Sequence, residues 1–387
     1  DDSRMRWIRM RYLRNLSRPV PIDESTLAMS ALFPGSGVAD FHAHPAEIRD
    51  NVMVSFRSSN YGGYGHLLAD QNTFNVLLGG KRLFYMSGYK VAMQDPHRLG
   101  WYKATQGHNG ILIDGKGQSF DVEGYGSITA FLSGKELGYV EGDASRAYDS
   151  RAEKLQTGMR KFLRKLVFLQ PGIVVIYDEL EADHPAIWSW LIHSPHHIKI
   201  NPPAGTFAVE EKGLSAQAYL TGSQALHWNL TDTFAVPAVN WLGRTDEEGN
   251  LIEYENNQWH LRAESSNRSN KMRYLSVICA GSTANEKNRL LQIDKSHWQI
   301  GDWIIEAELN TEKHALLQIS NNMTQTIFSS SADLLQADGQ SFSGKEAGTA
   351  KLLEKHADGW HFAEAMRLLP DAIREIPAGN IQKSKHR

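Results

Sequence analysis

Cysteine is almost missing: the 387 residues hold one, Cys279, in "LSVICAGS". A single thiol excludes an internal disulfide framework, and its apolar setting suits a small buried side chain better than a redox group. An excess of one charge is missing too. The formal net charge is −3, so no global basic field points to nucleic acid. No apolar run approaches the ~18 residues of a membrane-spanning helix. No signal peptide is visible, and "DDSRMRWIRM" does not read as a translation start. We expect the chain to begin inside a longer protein, which makes missing targeting signals uninformative about compartment. There is no G-x-S-x-G elbow, Walker loop or C-x-x-C. "GKGQ" is followed by "SFDVEGYG", which does not read as a helix, so it is no phosphate loop.

What is present is β grammar. Apolar residues make up 41% of the chain, with ten Trp, enough for substantial cores, and the length suits two or three domains. "SRMRWIRMRYLRN" sets Trp7, Ile8, Met10, Tyr12 and Leu13 among five arginines at loosely helical spacing, closed by Pro19 and Pro21. It reads as the last helix of a preceding domain, with a basic arm as the alternative. From Val52 onward, runs such as "VMVSFRSS", "NTFNVLL" and "SITAFLS" are β-branched, aromatic and bounded by Gly, Asn and Asp. That is antiparallel β, hairpin after hairpin. "KLVFLQPGIVVIYDELEA" reads as two strands around a Pro-Gly turn. The expected organisation is a helical tail over 1–34, a linker over 35–51, a large antiparallel two-sheet β-sandwich over 52–285, and a smaller C-terminal β-domain over 286–387.

Candidate chemistry gathers in the first third. His66 lies in "GYGHLLADQN", where flanking glycines allow close backbone approach and Tyr61 and Tyr64 offer stacking faces. An imidazole there can take or relay a proton; the same text also suits a histidine satisfied by its neighbours. A second cluster runs from Tyr89 to Gln118, with His97, Arg98, Trp101, Tyr102, Lys103, His108 and Asn109. Between Arg57 and Gln118 seven Lys/Arg face three Asp, a local excess that suits an anionic ligand, while the aromatics suit sugar faces. An ordinary solvated face is the alternative. His42 and His44 in "FHAHP", and the histidines of "HSPHHIKI", carry weaker metal spacing.

"SSNYGGYGHLLADQNTFNVLLGGKRLFYMSGY" followed by "TQGHNGILIDGKGQ" resembles the heparinase II/III-like β-sandwich of polysaccharide lyases, closest in flavour to heparinase II. The resemblance is specific over Val52 to Gln118 and diffuse beyond. It implies a preceding (α/α) toroid, whose last helix would be "RMRWIRMRYL", and an active site in the cleft between toroid and sandwich. It implies β-elimination on an acidic, uronic-acid-containing polysaccharide. His66 matches the family's sandwich-borne catalytic histidine, and Tyr89 in "SGY" a substrate contact. With them, Tyr64, His97, Arg98, Tyr102 and Asn109 are the expected substrate-binding residues. The family's tyrosine acid and its carboxylate-neutralising groups belong to the toroid, so this chain alone is expected to be incomplete.

Zinc-bearing relatives read "GHxHADQN", with an Asp near the "SGY" strand and a later His. Here Leu68 and Met86 stand at two of those positions and only His108 matches, so no metal or other cofactor is expected there. Asp70 and Asn72 should instead order the loop through hydrogen bonds. The resemblance implies a periplasmic or secreted enzyme, with an acidic polysaccharide as partner, no nucleic acid and no membrane span. Homo-oligomerisation stays open. The rival reading is a non-catalytic sandwich that binds glycan or supports a catalytic toroid.

Overall fold

The computed structural model describes residues 10–11, 27–61, 66–91, 93–238, 247–250, 258–281 and 289–368. Met10 and Arg11 are helical; the rest of the expected N-terminal helix lies outside these residues. The strands that follow pair antiparallel and form three main layers, with short helical turns at Arg98–Tyr102, Thr105–Gly107, Ser145–Tyr148 and Pro202–Ala204 and a small hairpin at Leu334–Ala337 and Gln340–Ser343.

The middle layer is a nine-stranded sheet. Its order is Ile198–Asn201, Thr206–Glu211, Leu214–Gly222, Ser269–Ala280, Ile173–Ala186, Met159–Leu169, Leu137–Asp143, Ser127–Ser133 and Met366–Arg367. Its central strands are apolar on both faces, which is why "LVFL", "IVVIY" and "LSVICA" lack alternation. Phe162, Leu166, Phe168, Val174, Ile176, Tyr274 and Ile278 point into one core. Val167, Leu169, Val175, Tyr177, Leu275, Val277 and Cys279 point into the other. The two sets obey the period of two that a strand imposes. Cys279 is buried as expected, and burial pushes its thiol up to about 12.

Two smaller sheets cover the first face. The five-stranded sheet runs Ser30–Phe33, Val38–His42, Val52–Arg57, Thr73–Leu78, Lys81–Phe84; the four-stranded one runs Leu226–Thr231, Trp259–Ser265, Trp188–Ser194, Ile111–Ile113. The boundaries expected at the N-terminal side are corrected here. Ser30–Phe33 and Val38–His42 are strands, not helical tail and linker, and Ala39, Phe41 and Ala43 are buried core. Two of those three are alanines, so the alternation was faint in the sequence.

The seven-stranded sheet of the C-terminal region, from Leu291–Gln292 to Gly359–Glu364, covers the other face. Trp298, Ile305, Leu317, Phe328 and Leu352 share one core with the middle sheet. The chain then returns, and Met366–Arg367 pairs with Ser127–Ser133.

Candidate functional site

The "ADQN" segment leads into strand Thr73–Leu78, and its polar groups are bound into the scaffold. Gln71 accepts the Ser59 main-chain N–H on Oε1 (2.6 Å), and its own N–H donates to Gln118 Oε1 (2.7 Å). Asn72 donates from Nδ2 to the carbonyls of Gly142 (2.9 Å) and Phe162 (3.1 Å). It sits at φ 55°, in the left-handed region that Asn tolerates better than most residues. Asp70 forms an ion pair with Arg57, and its carbonyl accepts from Thr73 Oγ1 (2.8 Å). The expectation that Asp70 and Asn72 order the loop is met.

Beneath them lies a group that sequence reasoning missed. Arg164 is fully buried and clamps Asp178 through Nε (2.6 Å) and Nη2 (2.9 Å), while its Nη1 donates to the carbonyls of Asn72 (2.7 Å) and Asn109 (2.8 Å). One guanidinium thus ties the "ADQN" and "HN" loops to the middle sheet. A signal existed: a Pro-Gly turn centred on Pro171 places Arg164 and Asp178 directly opposite, as the register shows.

The second cluster folds over the end of the four-stranded sheet. His97 and Asn109, expected to bind substrate, are corrected to scaffold. His97 is buried; its Nδ1–H donates to the Val236 carbonyl (2.6 Å), and its Nε2 accepts the Tyr89 main-chain N–H (3.0 Å). Asn109 is buried, donates to the Phe74 carbonyl (2.9 Å) and accepts the main-chain N–H of His193 (2.8 Å). Both sets of side-chain polar groups are committed inside the protein, leaving no face for a sugar. Tyr89 is half-buried, its ring edge-on to Phe234 at 5.8 Å. Arg98 and Tyr102 are half-buried at the two ends of the turn Arg98–Tyr102. Gly88 must be glycine: at φ +98°, a Cβ would come within 2.9 Å of both His97 Nε2 and Trp101 Cδ1.

His193, His260, Phe234 and Gln258 complete this cluster from distant sequence. Trp101 packs on His260 (4.7 Å between rings) and Phe234 (5.4 Å), and Gln258 Oε1 accepts the Gly88 N–H (2.7 Å). Burial holds His97, His108 and His193 below the ordinary histidine range and brings His260 to about 4. These are neutral imidazoles at pH 7. Burial also raises the Tyr102 hydroxyl, helped by Tyr85 and Asp70 nearby.

His66 differs from them. It is exposed at the edge of the "ADQN" turn, next to Leu67 at 36% exposure. Among the described residues no hydrogen bond reaches its ring. Tyr64 lies outside the described residues. At the positions that the sequence resemblance matches to zinc ligands, Leu68 and Met86 are half-buried and His108 donates from Nε2 to the Tyr102 carbonyl (3.1 Å). One imidazole, an alkyl group and a thioether do not make a zinc donor set. In "FHAHP", Asn51 donates to His42 Nδ1 (2.9 Å) and accepts the His44 N–H (3.0 Å).

The layers and this loop system define a multilayer antiparallel β-sandwich that presents an exposed histidine on a rigid polar turn. The chain belongs to the heparinase II/III-like family, whose C-terminal-domain model matches residues 25–332. Among solved structures it is similar to a heparinase III with methylated lysines (TM-score 0.54, 16% identity, 76% of this chain and 40% of that one). It is also similar to a mutant of heparan sulfate lyase HepC from Pedobacter heparinus (0.54, 11%, 78% and 42%), and to another heparinase III (0.52, 14%, 81% and 42%). The chain thus spans about two fifths of the length of these structures, and at such identities the likeness is one of fold. No curated protein matches it. Among the described residues, no helix is long and apolar enough to cross a membrane.

Proposed function

We propose that this chain is the β-sandwich part of a lyase that cleaves an acidic, uronic-acid-containing polysaccharide by β-elimination. The observation that carries the reading is the contrast at the motif: its polar neighbours are locked into the scaffold, while the imidazole of His66 faces solvent with no protein partner among the described residues. In the reaction a base removes the proton on C5. The C5–H electron pair becomes the C4–C5 double bond, the C4–O4 bond breaks, and an acid protonates the departing O4. His66 handles a proton in this scheme. Tyr89, Arg98 and Tyr102 line the polymer's path, with Arg98 answering its negative charge. The groups that neutralise the carboxylate, and the tyrosine acid, come from a preceding toroid. We propose no zinc at Leu68, Met86 and His108, and a periplasmic or secreted location where such polymers are met.

The test is the ultraviolet absorbance of the new C4–C5 unsaturation when the full-length protein meets a panel of uronate polymers. Turnover by the full-length protein, with little or none by the 387 residues alone, is expected. Binding of a polymer by the full-length protein without unsaturated product on any substrate would favour the non-catalytic, glycan-binding reading.

A further inference from the structure

We propose that the last long hairpin of the seven-stranded sheet is a transition-metal site, built from His356, Asp358 and His361 and taking a divalent ion of the zinc, nickel or copper class. Strands Thr349–His356 and Gly359–Glu364 are joined through Ala357 and Asp358. Their register pairs His356 with Gly359 and Glu354 with His361. Glu354, His356 and His361 therefore project from the same face of the hairpin, and Asp358 stands at its turn.

One ligand atom from each of His356, Asp358 and His361 lies within 4.8 Å of the others. His361 Nε2 is already 2.7 Å from Asp358 Oδ1. Donors bound to one zinc at about 2.0–2.2 Å stand a little over 3 Å apart, so a small closure brings the three to one centre. The two rings are now stacked, with centroids 4.1 Å apart and planes at 18°. Rotation of these partly exposed rings out of the stack makes their lone pairs converge.

A separate observation points to a ligand. The Nε2 atom of His356 is shielded from solvent yet makes no hydrogen bond; the nearest carboxylate oxygen, Glu354 Oε2, stands 3.5 Å away. Glu354 is itself fixed, because its two oxygens accept the main-chain N–H groups of Lys135 (2.8 Å) and Glu136 (2.7 Å). A carboxylate so committed does not satisfy that nitrogen, which stays open to an ion. Two imidazoles and one carboxylate suit zinc, nickel or copper, and not calcium or magnesium, which take oxygen donors. Ion binding displaces the proton that His361 shares with Asp358, and a water fills the remaining position.

The 387-residue chain, stripped with a chelator, is titrated with zinc by calorimetry and then melted with and without it. One ion per chain in the micromolar range is expected, with a rise in melting temperature. His356→Ala and His361→Ala should each weaken binding by at least the roughly 10- to 100-fold that loss of an outer partner costs, and Asp358→Asn by about tenfold. His66→Ala should bind zinc as the parent does, which separates this site from other histidines. All three site residues are partly or fully exposed, so the metal-free variants should melt as the parent does. Unchanged zinc affinity in a His356→Ala/His361→Ala double variant overturns the proposal, as does failure of the parent to bind zinc, nickel and copper alike.

Discussion

An imidazole can serve chemistry only with a nitrogen to spare, and the histidines around the "ADQN" turn divide on that point. His66→Ala in the complete protein should lower kcat by about 10²–10⁴-fold, the usual contribution of a proton-handling group, and leave the melting temperature unchanged because the ring is exposed. A near-normal kcat would make His66 structural. His97→Ala should do the reverse. It strips hydrogen bonds from Tyr89 and Val236 and should cost about 1–3 kcal/mol of stability, read as a lower urea midpoint. The buried histidines also set an acid limit. His260 titrates near 4 when folded, against an ordinary 6.5. Between those values the unfolded chain holds the extra proton, so stability is intact above pH 6.5 and falls as pH drops toward 4. At about 1.4 kcal/mol per pH unit, this one group removes about 3 kcal/mol. His260→Phe should flatten the slope of urea midpoint against pH; an unchanged slope would assign the acid sensitivity to other groups.

At the scale of elements, the hairpin Met159–Leu169 and Ile173–Ala186 shows what was legible in the sequence and what was not. The Pro-Gly turn and the flanking β-branched runs announced two paired strands, and the pairing of Ile173 with Leu169 bears that out. The hairpin's burial on both faces was legible only as unbroken apolar text. The strands at Ser30–Phe33 and Val38–His42 were missed because small residues carry little alternation. The motif marked His66 and the loop-ordering Asp70 and Asn72. It could not reveal His193, Phe234, Gln258 and His260, which only tertiary folding delivers to the site. It also made His97 and Asn109 look like ligand contacts, since a loop sequence does not show which polar groups the scaffold uses. The Arg164–Asp178 pair supports a further expectation. Asp178→Ala leaves a buried guanidinium without its counter-charge and should cost about 3–5 kcal/mol, measurable by urea unfolding. Loss of less than 1 kcal/mol would mean that the carbonyls of Asn72 and Asn109 suffice to hold Arg164.

For the molecule as a whole, the decisive fact is that the central strands of the middle sheet have no free face. Its second face carries about ten large apolar side chains, among them Leu137, Val167, Leu169, Val175, Tyr177, Leu275 and Val277, all covered by the C-terminal layer. Polar ties reinforce the cover. Tyr177 donates its hydroxyl to the Glu308 carbonyl (2.7 Å), and Arg273 donates to the carbonyls of Asn310 and Lys313 (2.7 Å each). The strand Met366–Arg367 closes the edge beside Ser127–Ser133. Cutting the chain after residue 285, where composition alone placed a domain boundary, would therefore strip a core rather than a linker. At about 1.5–3 kcal/mol for each side chain returned to water, the loss exceeds the 5–15 kcal/mol by which whole domains are usually stable. Residues 1–285 produced alone should associate through the bared face or fail to fold. Size-exclusion chromatography and near-ultraviolet circular dichroism would show aggregates or a weakened aromatic signal. A monomer that unfolds cooperatively at the parent's midpoint would instead make the outer layer dispensable, and with it the view that three layers share one stability.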